Sequence, residues 1–124
     1  MKYRLAAVFT LAALLLPAMA NAQTDPGQRA FLQCRACHSL KASEPNKTGP
    51  NLNRMFGAKA GSIRKDYKYS AALTASGIVW SEATLDAWLT NPAAMVKGNR
   101  MAFAGMPNPQ ARKALTVWLK RETR

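Results

Sequence analysis

Two cysteines and one histidine stand together near the start of the chain, in the segment Cys34-Arg35-Ala36-Cys37-His38. They are the only cysteines and the only histidine among the 124 residues. The spacing matches the Cys-x-x-Cys-His pattern of covalent haem attachment. Two thiols one helical turn apart can each add to one vinyl group at the edge of the ring, and the next residue then places an imidazole under the iron. The segment therefore predicts a haem bound through Cys34 and Cys37, with His38 as an iron ligand.

Other uses of this segment fit the rest of the sequence less well. A thioredoxin-like redox pair would need a strand-helix-strand context, whereas the residues before Cys34 read as a helix. A zinc site would need a fourth ligand and usually a second Cys/His pair, which the chain lacks. A disulfide between Cys34 and Cys37 can form only in a chain to which haem is never attached.

The second axial position of the iron needs another residue type, because the chain has no second histidine. Thioether sulfur suits iron that must hold an electron, since it favours the ferrous state and raises the potential. Met101 and Met106 share a polar loop from which either could reach the ring, and the residues alone favour Met101 only slightly. Met55 and Met95 are interpreted as core residues.

The first 22 residues read as a secretory signal peptide. Lys2 and Arg4 precede an apolar run from Leu5 to Ala18, and Ala20-Asn21-Ala22 is a small-x-small cleavage pattern. The run is shorter than the ~20 residues that a membrane-spanning helix needs. We expect cleavage after Ala22, export to the periplasm without stable membrane insertion, and a mature chain of residues 23–124 that forms a single domain.

The chain is strongly basic. It has 18 basic and 6 acidic residues and a net charge of +12, and removal of Lys2 and Arg4 with the signal peptide leaves +10. Such a charge favours an anionic partner. Export makes nucleic acid unsuitable, so acidic proteins are the expected partners, with a solvated basic surface as the plain alternative.

The elements that must position these residues read as short helices joined by long loops, with no convincing strand pattern. Apolar side chains recur at helical spacing near residues 85–89 and 111–119. Ser81 and Asn108 are suited to cap these two helices, and Pro109 to the first position of the last one. The predicted helices run from Thr24 or Asp25 to about Arg35, from Ser70 to Ser76, from Ser81 to before Pro92, and from Asn108 to the end of the chain.

These motifs together resemble class I cytochrome c, the mitochondrial cytochrome c and bacterial cytochrome c2 type. The resemblance covers nearly all of the mature chain. It implies an all-α cytochrome c fold, with short helices and long loops wrapped around one covalently bound haem c, in which Gly27 and Phe31 of the first helix meet Leu115 and Trp118 of the last. Beyond the Cys34–His38 segment, the matching pieces are Lys47-Thr48-Gly49-Pro50-Asn51-Leu52, Tyr69-Ser70, Gly77-Ile78-Val79-Trp80, Asn91-Pro92 and Arg100-Met101-Ala102-Phe103-Ala104-Gly105.

The resemblance also implies roles for particular residues. Met101 falls on the family's axial methionine. The carbonyl of Pro50 falls on the acceptor of the other ring hydrogen of His38, a bond that would fix the imidazole. Tyr69 and Trp80 match positions that donate hydrogen bonds to a haem propionate, with plain aromatic core residues as the alternative.

Several positions depart from the family pattern. Ala58 stands where the family often has an arginine near a propionate, Trp88 where a tyrosine is expected, and Asn99 where threonine is common. The basic ring around the haem edge is only partly present, because Lys47 and Arg100 alone match it. The docking patch is expected to draw on substitutes elsewhere: Arg29, Arg35, Lys97 and Lys113.

The resemblance implies a soluble, monomeric electron carrier rather than an enzyme, because two axial residues leave no position on the iron for a substrate. The expected donor and acceptor are acidic redox proteins, such as a cytochrome bc1 complex, a terminal oxidase or a periplasmic dehydrogenase. Two alternatives stay open. One is a subunit held in a stable oxidoreductase complex, and the other is a catalytic or sensing haem with an open axial position.

Overall fold

The computed structural model describes residues 22–124. The predicted signal peptide, residues 1–22, lies outside this described part apart from Ala22. Across the described range the backbone forms five helices joined by long connections, and its single β-type pairing is an isolated bridge between Lys59 and Val79. The all-α class predicted from the sequence is confirmed. The helices are α1 (Pro26–Phe31), α2 (Ala71–Ala75), α3 (Glu82–Thr90), α4 (Pro92–Met95) and α5 (Pro109–Glu122).

The helices begin where the local sequence offers a capping side chain. Asp25 and Asn108 accept hydrogen bonds from backbone amides in the first turns of α1 and α5. Ser81 and Thr84 exchange reciprocal hydrogen bonds at the start of α3. Because each side chain satisfies amides that have no partner within the helix, these starts follow from the sequence.

The first helix is shorter than predicted. Regular α1 ends at Phe31 instead of about Arg35, and the chain continues in a series of turns to Cys37. The amide of Leu32 already bonds to a carbonyl three residues back, at 3.2 Å, so the helix tightens at its end.

Helix α4 is an element that the sequence analysis missed. We expected Pro92 only to limit α3, but it also occupies the first position of α4, where its missing N–H costs nothing. The side chain of Asn91 caps this helix by accepting from the amide of Ala94 at 3.1 Å. Among residues 22–124, no helix is both long and apolar enough to cross a bilayer.

Helix α1 packs against α5, the contact that the family resemblance implies. The rings of Phe31 and Trp118 lie with their centroids 5.1 Å apart, and Leu115 has no exposed surface. A Cβ atom on Gly27 would collide with the side chain of Trp118 and the carbonyl oxygen of Ala114. Glycine is therefore the residue that lets the two helices come this close.

Candidate functional site

The segment from Cys34 to His38 winds directly off the end of α1. The amide of Cys34 donates to the carbonyl of Phe31 at 2.8 Å, and the amide of His38 donates to the carbonyl of Cys34 at 3.0 Å. This winding brings Cys34, Cys37 and His38 to the wall of one cavity. The structure thus brings the three predicted attachment residues together.

The wall of this cavity is mainly apolar and aromatic. It draws side chains from four helices and from the loops between them. A wall of this kind excludes water and suits a large flat hydrophobic group. Its apolar members include Phe31, Leu52, Met55, Ile63, Leu73, Trp80, Leu85, Trp88, Leu89, Phe103, Leu115 and Leu119.

The ring of His38 is fixed by the carbonyl oxygen of Pro50, which lies 2.7 Å from Nδ1. A carbonyl oxygen can only accept, so Nδ1 carries the hydrogen and Nε2 keeps a free electron pair for a metal. Burial lowers the pKa of His38, and the charge of Lys47 adds to this effect, while the bond to Pro50 acts in the opposite direction. The imidazole is therefore neutral at neutral pH, the form that binds a metal.

The backbone of Gly49 presses against the same ring. A Cβ atom at this position would lie 2.5 Å from Cε1 and 2.9 Å from Nδ1 of His38. The amide of Gly49 also donates to the carbonyl of Cys37 at 2.8 Å. From the sequence, Gly49 stands out only as a loop residue and as part of a family motif, and its position next to Pro50 is the signal that could have identified its role.

The four methionines of the described chain take different positions. Met101 is half-buried and lines the cavity together with His38. Met106 is only 6% exposed and belongs to the core outside the cavity wall, where its amide donates to the carbonyl of Leu89 at 2.7 Å. Met55 is buried as expected but also lines the cavity, whereas Met95 packs against the core.

Asn99 holds the backbone next to Met101. Its side-chain oxygen accepts from the amide of Met101 at 2.9 Å, and its side-chain nitrogen donates to the carbonyls of Pro92 and Val96 at 3.0 and 2.9 Å. From the sequence, Asn99 is only a departure from the threonine that is common at this position in the family. Its three bonds reach residues two to seven positions away, and the bonds to α4 were not foreseen because α4 itself was not predicted.

Tyr69 and Trp80, the two predicted hydrogen-bond donors to a propionate, both line the cavity. The hydroxyl oxygen of Tyr69 accepts from the amide of Arg64 at 3.1 Å, which leaves its own O–H free to donate. Burial raises the pKa of Tyr69, so the phenol keeps that hydrogen. Trp80 is buried and packs edge-on against Trp88, with their centroids 5.5 Å apart.

The free thiol of Cys34 has little thiolate character. Burial raises its pKa to about 11, and the neighbouring Cys37 contributes in the same direction. The thiolate is the nucleophile in thiol-disulfide exchange, so a half-buried thiol with a raised pKa, such as that of Cys34, is a poor redox nucleophile. The environment of Cys34 therefore disfavours the thioredoxin-like alternative.

Comparison with known proteins identifies the family. No protein-family model matches the chain. The chain is 44% identical over 110 residues to cytochrome c2 of Rhodomicrobium vannielii, and the match covers 87% of both proteins. The chain belongs to the class I c-type cytochromes.

Two further relatives of this c-type cytochrome agree in sequence and in fold. It is 42% identical over 92 residues to cytochrome c of Arabidopsis thaliana, covering 74% of this chain and 81% of the relative. The solved structure of cytochrome cH from Methylobacterium extorquens superposes with a TM-score of 0.73 at 38% identity. That superposition covers 77% of this chain and 95% of the other, and it confirms the predicted cytochrome c fold.

The residues of the cavity fit the group that this family carries, one covalently attached haem c. The cavity offers two thiols for covalent attachment, and an imidazole and a thioether as iron donors. These are the groups that hold haem c in electron carriers. A further observation supports the fit: Nη2 of Arg64 is buried and has no hydrogen-bond partner within residues 22–124. A buried cationic nitrogen of this kind calls for an anion, and a haem carries two carboxylates.

Proposed function

We propose that this c-type cytochrome is a soluble periplasmic electron carrier, with its haem attached through Cys34 and Cys37 and ligated by His38 and Met101. When bound, the haem supplies a one-electron couple between ferric and ferrous iron. The observation that carries the proposal is that both cysteines, the single imidazole and the thioether of Met101 line one apolar cavity.

The protein residues keep the couple reversible. The bond from His38 to Pro50 and the contact with Gly49 hold the imidazole in one orientation. Asn99 holds the backbone of Met101. Two permanent protein ligands leave no position for a substrate, which supports a carrier and not an enzyme. Little rearrangement between the two oxidation states then favours rapid electron transfer.

The positive charge supports docking to acidic partners. The mature chain would carry +10, and the side chains of Lys47 and Arg100 extend along exposed backbone, where they bond to the carbonyls of Arg35 and Lys68. Such docking is steered by charge and weakens with salt. The candidate donor and acceptor are a cytochrome bc1 complex, a terminal oxidase or a periplasmic dehydrogenase. Co-elution with a larger protein at high salt would instead support a stable subunit.

The periplasmic assignment depends on the segment before the described residues. Lys2 and Arg4, the apolar run and the Ala20-Asn21-Ala22 pattern support a signal peptide that is cleaved to leave residues 23–124. The mass of the purified protein tests this step directly. A mature chain that begins at Gln23 and gains the mass of one haem is expected, and a chain that keeps residues 1–22 would contradict export by cleavage.

The axial ligand is tested by three matched substitutions, Met101→Leu, Met106→Leu and Met55→Leu. Leucine keeps apolar volume but removes sulfur, so the fold tolerates the exchange. We expect the oxidised protein to show the weak red absorption band of an iron-thioether bond, and we expect only Met101→Leu to lose it. Met55 is the sharpest control, because it lines the same cavity.

Carbon monoxide provides a second readout for the same variants. The reduced wild type should bind it poorly at neutral pH, and reduced Met101→Leu should bind it readily, because one axial position is then open. Rapid binding to the wild type would favour a catalytic or sensing haem. Colourless protein after export with competent haem-ligation machinery would contradict the whole proposal.

A further inference from the structure

Arg64 is a partly buried cation with one end unsatisfied. Its backbone amide donates to the hydroxyl oxygen of Tyr69 at 3.1 Å, and its Nε donates to the carbonyl of Asn51 at 3.4 Å. Its Nη2 is buried and has no partner in the part of the chain that the structure describes. A buried donor without an acceptor is rare in folded proteins, and each case needs an explanation.

No carboxylate of the chain supplies the missing partner. The chain has six acidic residues, and none of them lies within salt-bridge distance of Arg64. The carboxylate of Glu44 accepts from two backbone amides, and Asp66 forms no ion pair. The other four form ion pairs with Arg112, Lys120 and Arg121, and none pairs with Arg64: Asp25, Glu82, Asp86 and Glu122.

The contacts of Arg64 place it behind one edge of the haem cavity. Its bonding partner Tyr69 lines the cavity, and so does its sequence neighbour Ile63. Its other partner, Asn51, directly follows Pro50, which bonds to His38. An anion that reached this edge from inside the cavity would meet the free O–H of Tyr69 and the unpaired end of the guanidinium.

We propose that Arg64 provides the positive charge for one carboxylate of the bound haem. The inference rests on the haem being present, and it names a residue that the sequence analysis did not consider. It also answers the question raised by Ala58, which lacks the charge that the family often has at that position. In this chain the charge comes from Arg64, a residue further along the same connection.

This placement has a consequence for the iron. A guanidinium beside an ionised carboxylate keeps the carboxylate ionised and cancels its charge. Without the guanidinium, the negative charge would favour ferric over ferrous iron and lower the midpoint potential. The carboxylate pKa would also rise, so the potential would become dependent on pH.

The test compares Arg64→Gln, Arg64→Lys and Lys65→Gln in the haem-loaded protein. Lys65 is the matched control, because it is exposed, adjacent in sequence and loses the same charge. The readout is the midpoint potential between about pH 5 and pH 8, the range in which a displaced carboxylate would titrate. Besides Arg64, the charged or titratable groups that act on its partner Tyr69 are Tyr67 and Asp66.

We expect Arg64→Gln to lower the equilibrium constant for reduction at neutral pH by about tenfold, which is about 59 mV for one electron. Its potential should be higher in acid, where the carboxylate is protonated, and fall as pH rises through the new pKa. The wild type and Lys65→Gln should give nearly flat profiles. Arg64→Lys should restore most of the potential, because it keeps the charge.

Two results would overturn the inference in haem-loaded protein. One is an Arg64→Gln profile that matches Lys65→Gln. The other is a wild-type midpoint potential that itself decreases stepwise with rising pH in this range, which would show that the carboxylate is unpaired. This second measurement does not depend on any variant folding. Colourless wild-type protein would overturn the proposed function as well, so the two failures are distinguishable.

Discussion

Two segments that line the cavity present their candidate iron ligands by different means. His38 lies in a tightly wound segment, where its ring bonds to the carbonyl of Pro50 and contacts the backbone of Gly49. Met101 lies in an irregular stretch between α4 and α5, and its amide depends on the side chain of Asn99. Backbone groups hold the ring of the first candidate ligand, whereas the second has only its own backbone held, by the side chain of Asn99 and the amide of Phe103. We therefore expect that, on local unfolding, the thioether of Met101 leaves the haem iron before the imidazole of His38 does.

The largest effect is expected in the segment that holds His38, from the substitution Gly49→Ala. The new Cβ would lie 2.5 Å from Cε1 of His38 and 3.0 Å from the carbonyl oxygen of Cys37, so the ring or the loop must move. We expect a loss of about 3 kcal/mol in the free energy of unfolding, typical of overpacking against rigid neighbours. Urea denaturation followed by haem absorbance measures it.

Gly57→Ala is the control for this substitution. Gly57 has a φ of 85°, but a Cβ there would meet no atom within 4 Å. The cost should be only the backbone strain of about 1 kcal/mol, with an unchanged haem spectrum. Equal losses in the two variants would show that contact with His38 does not constrain Gly49.

An intermediate effect is expected in the segment that holds Met101, from the substitution Asn99→Ala. This change removes three hydrogen bonds, while the carbonyls of Pro92 and Val96 each keep one backbone amide donor. We expect the Met101 ligand to be weakened by about 2 kcal/mol, so that added imidazole replaces it about thirtyfold more readily. Loss of the red band during imidazole titration measures the change.

Asn99→Asp sharpens the same comparison. It keeps an oxygen that can accept from the amide of Met101 but removes the donor to Pro92 and Val96. We expect an imidazole affinity between those of the wild type and Asn99→Ala. If all three proteins bind imidazole equally, Asn99 does not position Met101 and the two ligand segments are equally robust.

The smallest effect is expected outside both segments, from Asp25→Asn. The side chain of Arg121 lowers the pKa of Asp25, as does the amide of Gly27, and all these groups lie at the α1 and α5 contact. Because the folded-state pKa is lowered, the stabilisation is present above the unfolded pKa and is lost as pH falls through the folded one. Asparagine retains the capping ability of aspartate.

The expected readout is a small stability difference between Asp25→Asn and wild type at about pH 6 that disappears near pH 2. Urea denaturation at both pH values measures it. The red band and the imidazole affinity should be unchanged. A weakened red band in Asp25→Asn would show that the helix contact and the Met101 segment are coupled.

Much of the fold followed from short sequence signals. The starts of α3 and α5 depend on Ser81 and Asn108, whose side chains bond to amides two or three residues away. The attachment segment is equally local, because Cys34, Cys37 and His38 lie within five residues. The early end of α1 was missed because packing as well as local preference sets helix ends. Helix α4 was missed because Pro92 was interpreted only as the limit of α3, although Asn91 and Pro92 form a local start signal.

The sequence by itself determined the helical class, the c-type family and the pair of sulfurs beside an imidazole, because these depend on neighbouring residues or on motifs in a fixed order. Only the tertiary structure decided that Met101 lines the cavity while Met106, from the same loop, lies in the core. It alone brought Asn99 to α4 and left Arg64 without an acid partner. Asn99 bonds to residues only two to seven positions away, but whether a loop side chain faces the cavity, the core or a neighbouring loop is settled only once the whole domain has packed.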